Sequence, residues 1–391
     1  MGPRRRRRWA TRGAQTPSCS RAPRTSLPQC WADSALDPVE FLGDARSARA
    51  VSETLRGPRL LFALVMAHTR TCEVPGISAA GASPAAMALT PAADAEYIRY
   101  GRCRSISGVP MAPGGLPTPA LITRAALEAG GIPSMAISAG AARAPEMPHI
   151  DAGLPAGEDI TRRPAMSAET VSLALRRGED AGRHAAEVAD CVIIGESVPG
   201  GTTTALAVMR ALGVDARVSS SMAENPAALK ERAAAAALGR LRGGHGAREA
   251  LAEAGDPMLA LVCAMAAAAS RRSTVVLAGG TQMLAALLLS RRICSPREGA
   301  VAVATTSYVT RDASANFAEV ASAESVPAVS IDPGLASSRI AGLRAFAEGH
   351  AKEGAGAGGA AVAAVLGRGV GAGSLRALVE AEYGRALSHG D

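Results

Sequence analysis

Residues 190–213 combine an anion-binding pattern with a carboxylate. The apolar run 191–194 predicts a buried parallel strand, and the loop after it contains Glu196 and three glycines. Residues 202–204 are threonines that open an amphipathic helix. A glycine-rich turn that leads from a strand onto a helix presents unpaired N–H groups and the positive end of the helix dipole to an anion. The segment therefore predicts an anion pocket beside a carboxylate, which suits transfer chemistry on a phosphorylated small molecule.

Two further glycine loops, 279–282 (GGTQ) and 354–359 (GAGAGG), are also expected to follow strands. In an open α/β sheet, ligands bind outside the carboxyl ends of the strands, where such loops gather. Any one loop could equally serve only a tight turn or close helix packing. The three together, with hydroxyl and amide groups available, favour a shared site.

Glu353 and Lys230 are candidate site residues, but each could also be an ordinary surface residue with no role in binding or catalysis. A carboxylate at the rim of a glycine loop can abstract a proton if burial raises its pKa, but Glu353 taken alone is better interpreted as an ordinary helix-end residue. Arginine outnumbers lysine 40 to 2, so Lys230 and Lys352 draw attention. Lys230 follows Pro226 on the first turns of a predicted helix, where it could reach a phosphate or simply be solvated.

The sequence lacks the residues that several classes of function require. The loop 195–202 has no lysine where a nucleoside-triphosphatase needs one, and the glycines at 354–358 have the wrong spacing for a dinucleotide site. The six histidines form no metal-binding pattern, so neither a metal nor a cofactor is predicted. The seven cysteines show no CxxC spacing, which favours a reduced compartment. No apolar run approaches the ~18 residues of a membrane span.

The positive charge is concentrated at the N-terminus. The net charge is +7, but residues 1–32 contain eight arginines and no acid, so the remainder carries −1 and nucleic-acid binding is not expected. Residues 1–35 are interpreted as a disordered extension or a misassigned start, with an organelle transit peptide as the alternative. Residues 36–391 are expected to form one α/β domain, located in the cytoplasm unless that extension is a transit peptide.

Alternating strand and helix patterns predict an α/β fold: a doubly wound, mostly parallel sheet flanked by helices, with a smaller, mainly helical lobe. The predicted strands are residues 60–66, 133–138, 191–194, 214–221, 274–277, 301–305 and 329–331. The predicted helices include residues 120–129, 167–186, 258–270 and 337–348.

Six segments together resemble the archaeal and cyanobacterial branch of the nicotinate-nucleotide:dimethylbenzimidazole phosphoribosyltransferases, including its uncharacterised members. They are 73–81 (EVPGISAAG), 90–97 (TPAADAEY), 195–204 (GESVPGGTTT), 219–226 (SSSMAENP), 278–283 (AGGTQM) and 352–359 (KEGAGAGG). The resemblance runs from about residue 60 to about residue 365. It implies a cobalamin-pathway enzyme that moves phosphoribose from nicotinate mononucleotide to a benzimidazole-type base, giving α-ribazole phosphate and nicotinate.

The resemblance also implies residue roles. Glu353 matches the catalytic glutamate of a Gly-Glu-Gly loop, although Lys352 stands here in place of its first glycine. The substrate-binding residues so identified are Glu196, Gly200, Gly201, Thr202, Thr203, Lys230, Gly280, Thr281, Gly354 and Gly356. The implied partners are small-molecule substrates and a second copy in a homodimer. The alternative from another class is a non-catalytic or regulatory nucleotide-binding protein on the same fold.

Overall fold

The computed structural model describes Gly2, residues 38–112 and residues 116–388. Pro38–Asp391 form one compact unit. The expectation that residues 1–35 are an extension falls, apart from Gly2, outside the described residues. Across the described part of the chain, no helix is long and apolar enough to cross a membrane.

An eight-stranded sheet in the order β1-β10-β9-β8-β7-β2-β5-β6 forms the centre of the molecule. Its strands are β1 (Val39–Gly43), β2 (Leu60–Met66), β5 (Ser134–Ser138), β6 (Ile150–Asp151), β7 (Cys191–Ser197), β8 (Thr274–Ala278), β9 (Val301–Thr306) and β10 (Pro327–Ile331). All neighbours pair in parallel except β1 and β10, which are antiparallel. A separate antiparallel ribbon joins β3 (Met111–Ala112) to β4 (Leu116–Pro117). The expected doubly wound, mostly parallel sheet is confirmed.

Helices cover both faces of this sheet. They are α1 (Ala45–Thr54), α2 (Pro84–Tyr100), α3 (Ala120–Gly130), α4 (Ala168–Val188), α5 (Gly201–Ala211), α6 (Ala227–Leu238), α7 (Ala247–Ala254), α8 (Pro257–Ser270), α9 (Thr281–Ile293), α10 (Ser307–Thr310), α11 (Phe317–Ala323), α12 (Ala341–Ala347), α13 (Ala357–Val362) and α14 (Ala372–Ser388). Ser167 and Asp256 cap α4 and α8, since each side chain accepts a backbone N–H of the first turn of its helix.

The central strands are apolar throughout because both of their faces are covered. In β7, Val192 and Ile194 belong to the core under α4, α5, α8 and α9, whereas Cys191 and Ile193 belong to the core under α1, α3 and α13. Successive side chains of a strand point to opposite faces, so one apolar run supplies both cores.

Close helix packing replaces the aromatic bulk that this chain lacks. On α4, a Cβ atom added to Gly178 would lie 2.2 Å from the Leu261 carbonyl oxygen of α8, and one added to Gly182 would lie 2.3 Å from that of Met265. These glycines let the two helix backbones approach each other, so that alanines fill the interface.

Two predicted elements were wrong. Residues 214–221 form no strand, and the segment pairs with neither of the edge strands β1 and β6. Their polar groups are satisfied by side chains instead: the Arg217 N–H donates to Asn316, and Asn225 donates to the Val218 carbonyl. The helix expected over residues 337–348 begins only at Ala341, after a single 3-10 turn at Leu335–Ser337.

Gly182→Ala should lower the free energy of unfolding by about 1–3 kcal/mol, because the added methyl group overpacks the contact between α4 and α8. Gly384→Ala is the matched control, since a Cβ there meets nothing within 4 Å. In a helix interior it should be neutral or stabilising by up to about 1 kcal/mol. Urea unfolding measures both, and equal stabilities for the two variants would contradict the packing argument.

Candidate functional site

The site lies where β7, β8 and β9 end. Glu196 is the penultimate residue of β7, Gly280 follows β8, and Thr305 and Thr306 end β9. Because these neighbours are parallel, their carboxyl ends lie at one edge of the sheet, where the helices that follow present their N-termini. Residues distant in sequence are therefore brought together.

Two adjoining cavities occupy this edge. The first, of about 200 Å³, is mainly apolar, with walls that include Leu89, Ile106, Met111 and Pro119. The second, of about 40 Å³, is polar. The two cavities share the side chains of Glu196, Ser221, Gln282 and Glu353. The carboxylates therefore stand at the junction between an apolar and a polar compartment.

Four donors hold the carboxylate of Glu353. The backbone N–H groups of Gly354 and Gly358 donate to Oε1 at 3.2 and 3.0 Å. The Thr306 N–H and the Thr305 hydroxyl donate to Oε2 at 2.8 and 3.1 Å. Burial raises the pKa of Glu353 above its ordinary value, although these hydrogen bonds oppose the shift. Glu353 is thus a carboxylate held in a fixed position, and its raised pKa brings its proton exchange closer to neutral pH.

Glu196 is the second carboxylate at the junction and is only 2% exposed. Burial raises the pKa of Glu196 well above its ordinary value, and the neighbouring charge of Glu353 raises it further. Its hydrogen-bond partner is Gln282. Gly201 makes room for that amide, because a Cβ there would lie 1.7 Å from Gln282 Oε1. The pair of carboxylates therefore favours one proton held by Glu196 and one charge held by Glu353.

A third carboxylate, Asp94 of α2, lines the apolar cavity and is 4% exposed. The hydroxyl of Thr118 donates to its Oδ1 at 2.8 Å and that of Ser197 to its Oδ2 at 2.7 Å. Burial raises the pKa of Asp94 to about 6, against these two hydrogen bonds.

The polar cavity is lined by groups suited to an oxyanion. Gly280 and Thr281 form the N-terminus of α9, and the first N–H groups of a helix have no partner within it. Thr202, residues 219–221 and Lys352 complete the lining. This combination of hydroxyls, a helix N-terminus and one ammonium group matches the needs of a phosphate.

Both lysines of the chain hold the serine loop 219–222. Lys230 Nζ donates to the Ser219 carbonyl at 2.7 Å, and Lys352 Nζ donates to the Ser220 carbonyl at 3.1 Å. Lys352 also forms an ion pair with Asp312 at 2.9 Å. Burial and the neighbouring charge of Lys352 lower the pKa of Lys230 to about 7. The loop's shape thus depends on two buried amines.

The structure places six of the sequence-predicted site residues in the cavity walls: Glu196, Thr202, Gly280, Thr281, Glu353 and Gly354. It does not bring the other five to either cavity; they are Gly200, Gly201, Thr203, Lys230 and Gly356. Gly200 and Gly356 adopt positive φ angles of 78° and 77° at the N-caps of α5 and α13. Lys230 lies behind the serine loop.

Sequence reasoning gave no role in the site to Asp94, Gln282 or Lys352. Each lies inside one of the six segments on which the resemblance rests, and this position was the only sequence feature that could have indicated a role in the site. What placed them is long-range contact: Asp94 meets Ser197, and Lys352 meets Asp312. Among the described residues, no group of three or more His, Cys, Asp and Glu side chains is arranged to hold a metal ion.

Relatives of the chain are UPF0284 proteins of archaea. That of Archaeoglobus fulgidus is 42% identical over 77% of this chain and 86% of its own length. The protein of Thermococcus kodakarensis is 41% identical over 77% of this chain and 90% of its own length. That of Methanopyrus kandleri is 39% identical over 84% of this chain and 88% of its own length.

A solved structure and a family model extend the comparison. The nicotinate-nucleotide-dimethylbenzimidazole phosphoribosyltransferase of Thermus thermophilus has the same fold, with a TM-score of 0.58, 19% identity, and coverage of 88% of this chain and 92% of its own. The family model described as phosphoribosyltransferase matches residues 128–314. The chain therefore belongs to the UPF0284 family.

Proposed function

We propose that this protein transfers phosphoribose from nicotinate mononucleotide to a benzimidazole-type base, releasing nicotinate and forming α-ribazole phosphate for the lower ligand of cobalamin. One observation carries the proposal: Glu353, a positioned carboxylate of raised pKa, lines both an apolar and a polar cavity. A transfer between a flat heterocycle and a phosphorylated sugar needs these two compartments with a proton acceptor between them.

The apolar cavity is assigned to the incoming base. Leu89, Ile106 and Pro119 offer surfaces against which an aromatic ring can be desolvated. Glu353 stands at its inner end and would remove the ring N–H proton, while the other ring nitrogen attacks C1′ of the sugar.

The polar cavity is assigned to the phosphate of the nucleotide. Its ammonium group is that of Lys352, and the N-terminus of α9 adds N–H donors. Lys230, which the sequence placed on the substrate, would act here through the Ser219 carbonyl that it holds. This assignment gives the lysine that replaces a glycine of the family pattern a role in the nucleotide half.

The reaction needs no covalent intermediate. The N-glycosidic bond of nicotinate mononucleotide joins C1′ to a cationic pyridinium, so its bonding pair leaves to the ring nitrogen as the base nitrogen attacks from the opposite side. The proton of the base goes to Glu353, and neutral-ring nicotinate departs. Alignment of the two substrates contributes most of the acceleration under this scheme.

A regulatory nucleotide-binding protein is the alternative from another class. It would use the same polar cavity but would have no need of a buried, proton-accepting carboxylate beside an apolar pocket. Binding of nicotinate mononucleotide without nicotinate release, across a panel of azole bases, would favour that alternative.

Glu353→Gln should reduce nicotinate release by at least about 100-fold, because the amide cannot accept the base proton. Glu348→Gln is the matched control: Glu348 is an exposed glutamate of the same segment and should leave turnover unchanged. Release of nicotinate is followed by chromatography with nicotinate mononucleotide and dimethylbenzimidazole. Near-normal turnover by Glu353→Gln would remove Glu353 from the mechanism.

The kcat/KM for the base should fall as the pH is lowered through a value above 4.5, the ordinary pKa of a glutamate. The reason is that Glu353 must be ionised to act as a base, and burial raises its pKa. A pH–rate profile with two azoles of different basicity separates enzyme from substrate. A limb that moves with the azole, or that lies at or below pH 4.5, would contradict the prediction.

Lys352→Met should raise the KM for nicotinate mononucleotide at least about tenfold, since the positive charge beside the phosphate is lost and the Ser220 and Met222 carbonyls of the serine loop lose their donor. Nicotinate riboside, which lacks the phosphate, should be affected much less. Arg311→Met serves as the control, because Arg311 is exposed and pairs with Asp332 outside both cavities. An equal loss with nucleotide and riboside would make Lys352 purely structural.

A further inference from the structure

Asp94 is a buried carboxylate that the proposed proton transfer does not use. It lies in the wall of the apolar cavity, on α2, a different element from those that carry Glu196 and Glu353. Its surroundings there include Leu89, Ile106 and Pro119. A charged group in such a wall calls for a reason, because burial of a carboxylate among apolar groups is unfavourable unless hydrogen bonds or a cation compensate.

The compensation for Asp94 is incomplete. Its two oxygens each accept one hydroxyl, from Thr118 and from Ser197. A carboxylate has about four acceptor positions, so room for further donors remains. In the part of the chain that the structure describes, no arginine, lysine or histidine forms an ion pair with Asp94.

Gln282 packs its side-chain oxygen against Gly201, which lines neither cavity. Its residue is 8% exposed and contributes to the walls of both cavities. Its side-chain amide bonds Glu196, while Oε1 is buried without a hydrogen-bond partner. The cavity is thus mostly apolar in its walls, but it also includes the carboxyl groups of Asp94 and Glu196.

A base that offers only its ring N–H would serve Glu353 and leave the remaining acceptor positions of Asp94 unused. Placing an unsubstituted or methylated ring against Asp94 would also displace water from a carboxylate and give nothing in exchange. A second donor on the ring, carried by a hydroxyl or an amino group, would complete the hydrogen bonding of Asp94.

We propose that Asp94 is a specificity-determining residue that selects azole bases bearing a second hydrogen-bond donor, a ring hydroxyl or amino group, over bases that bear only alkyl or ether groups. The inference rests on the proposed transfer reaction and adds the substrate class. Ser197 and Thr118 are positioning residues, since their hydroxyls orient the Asp94 carboxylate and take no part in the proton transfer.

The test compares hydroxybenzimidazole with methoxybenzimidazole, which differ in the donor but retain the oxygen. For the wild-type protein with nicotinate mononucleotide, kcat/KM should favour the hydroxyl compound at least about tenfold, because the analogue leaves a buried acceptor unpaired. Asp94→Asn should reduce that preference at least about tenfold. The variant keeps the shape of the side chain, and the Thr118 and Ser197 hydroxyls can turn to accept from the new amide.

Thr90→Val is the matched control. Thr90 lines the same cavity, but its hydroxyl donates a hydrogen bond to the Ala80 carbonyl at 2.5 Å. The preference between the two bases should therefore not change. Thermal unfolding of each variant checks that the fold is retained. If Glu196→Gln rather than Asp94→Asn abolished the preference, the assignment to Asp94 would be overturned.

The outcomes separate this inference from the function on which it rests. If wild-type protein released no nicotinate with any azole, the proposed transfer itself would fail and the substrate class with it. If nicotinate were released with both bases at similar kcat/KM, or if Asp94→Asn kept the wild-type preference, only the role of Asp94 would be refuted. The wild-type ratio needs no variant, so a failure of Asp94→Asn to fold does not remove the test.

Discussion

Two carboxylates, Glu196 and Glu353, are buried together at the carboxyl edge of the sheet, and their mutual repulsion is the constraint that the surrounding residues meet. Burial and proximity both disfavour two charges, so one proton has to be retained. The donors are distributed unequally: Glu353 receives four hydrogen bonds, whereas Glu196 has Gln282. This asymmetry assigns the charge to Glu353 and the proton to Glu196, so that Glu353 is the carboxylate left ionised to accept a proton.

The glycine loops make this asymmetry sterically feasible. A Cβ on Gly358 would lie 2.3 Å from the Thr305 carbonyl carbon, and one on Gly359 would lie 2.2 Å from Ala278 Cβ. Because both positions are glycine, α13 can approach the ends of β8 and β9, and the Gly358 N–H reaches Glu353. The two interpretations of this glycine loop, close packing and a binding site, are therefore compatible, because the close packing allows the hydrogen bonds of the site to form.

Much of the fold and about half of the site could be predicted because the signals were local. An apolar run such as that of β7 is readable in the sequence, and parallel strands place their following loops at one edge whatever the details of packing. That rule brought Glu196, Thr202, Gly280 and Glu353 together as expected. The strand prediction failed for residues 214–221, whose polar groups are bonded by Asn225 and the lysines instead of by a neighbouring strand.

The sequence by itself determined the alternation of strands and helices, the three glycine loops and the carboxylates beside them, because periodicity and turn chemistry depend on neighbouring residues. Only the tertiary structure decided which lysine reaches the polar cavity, that Gly201 accommodates Gln282, and that Asp94 faces the apolar cavity. Those outcomes depend on contacts such as Lys352 with Asp312 and Asp94 with Ser197, which join segments far apart in the chain. No local pattern encodes such contacts, since they exist only once the sheet has brought its strand ends to a common edge.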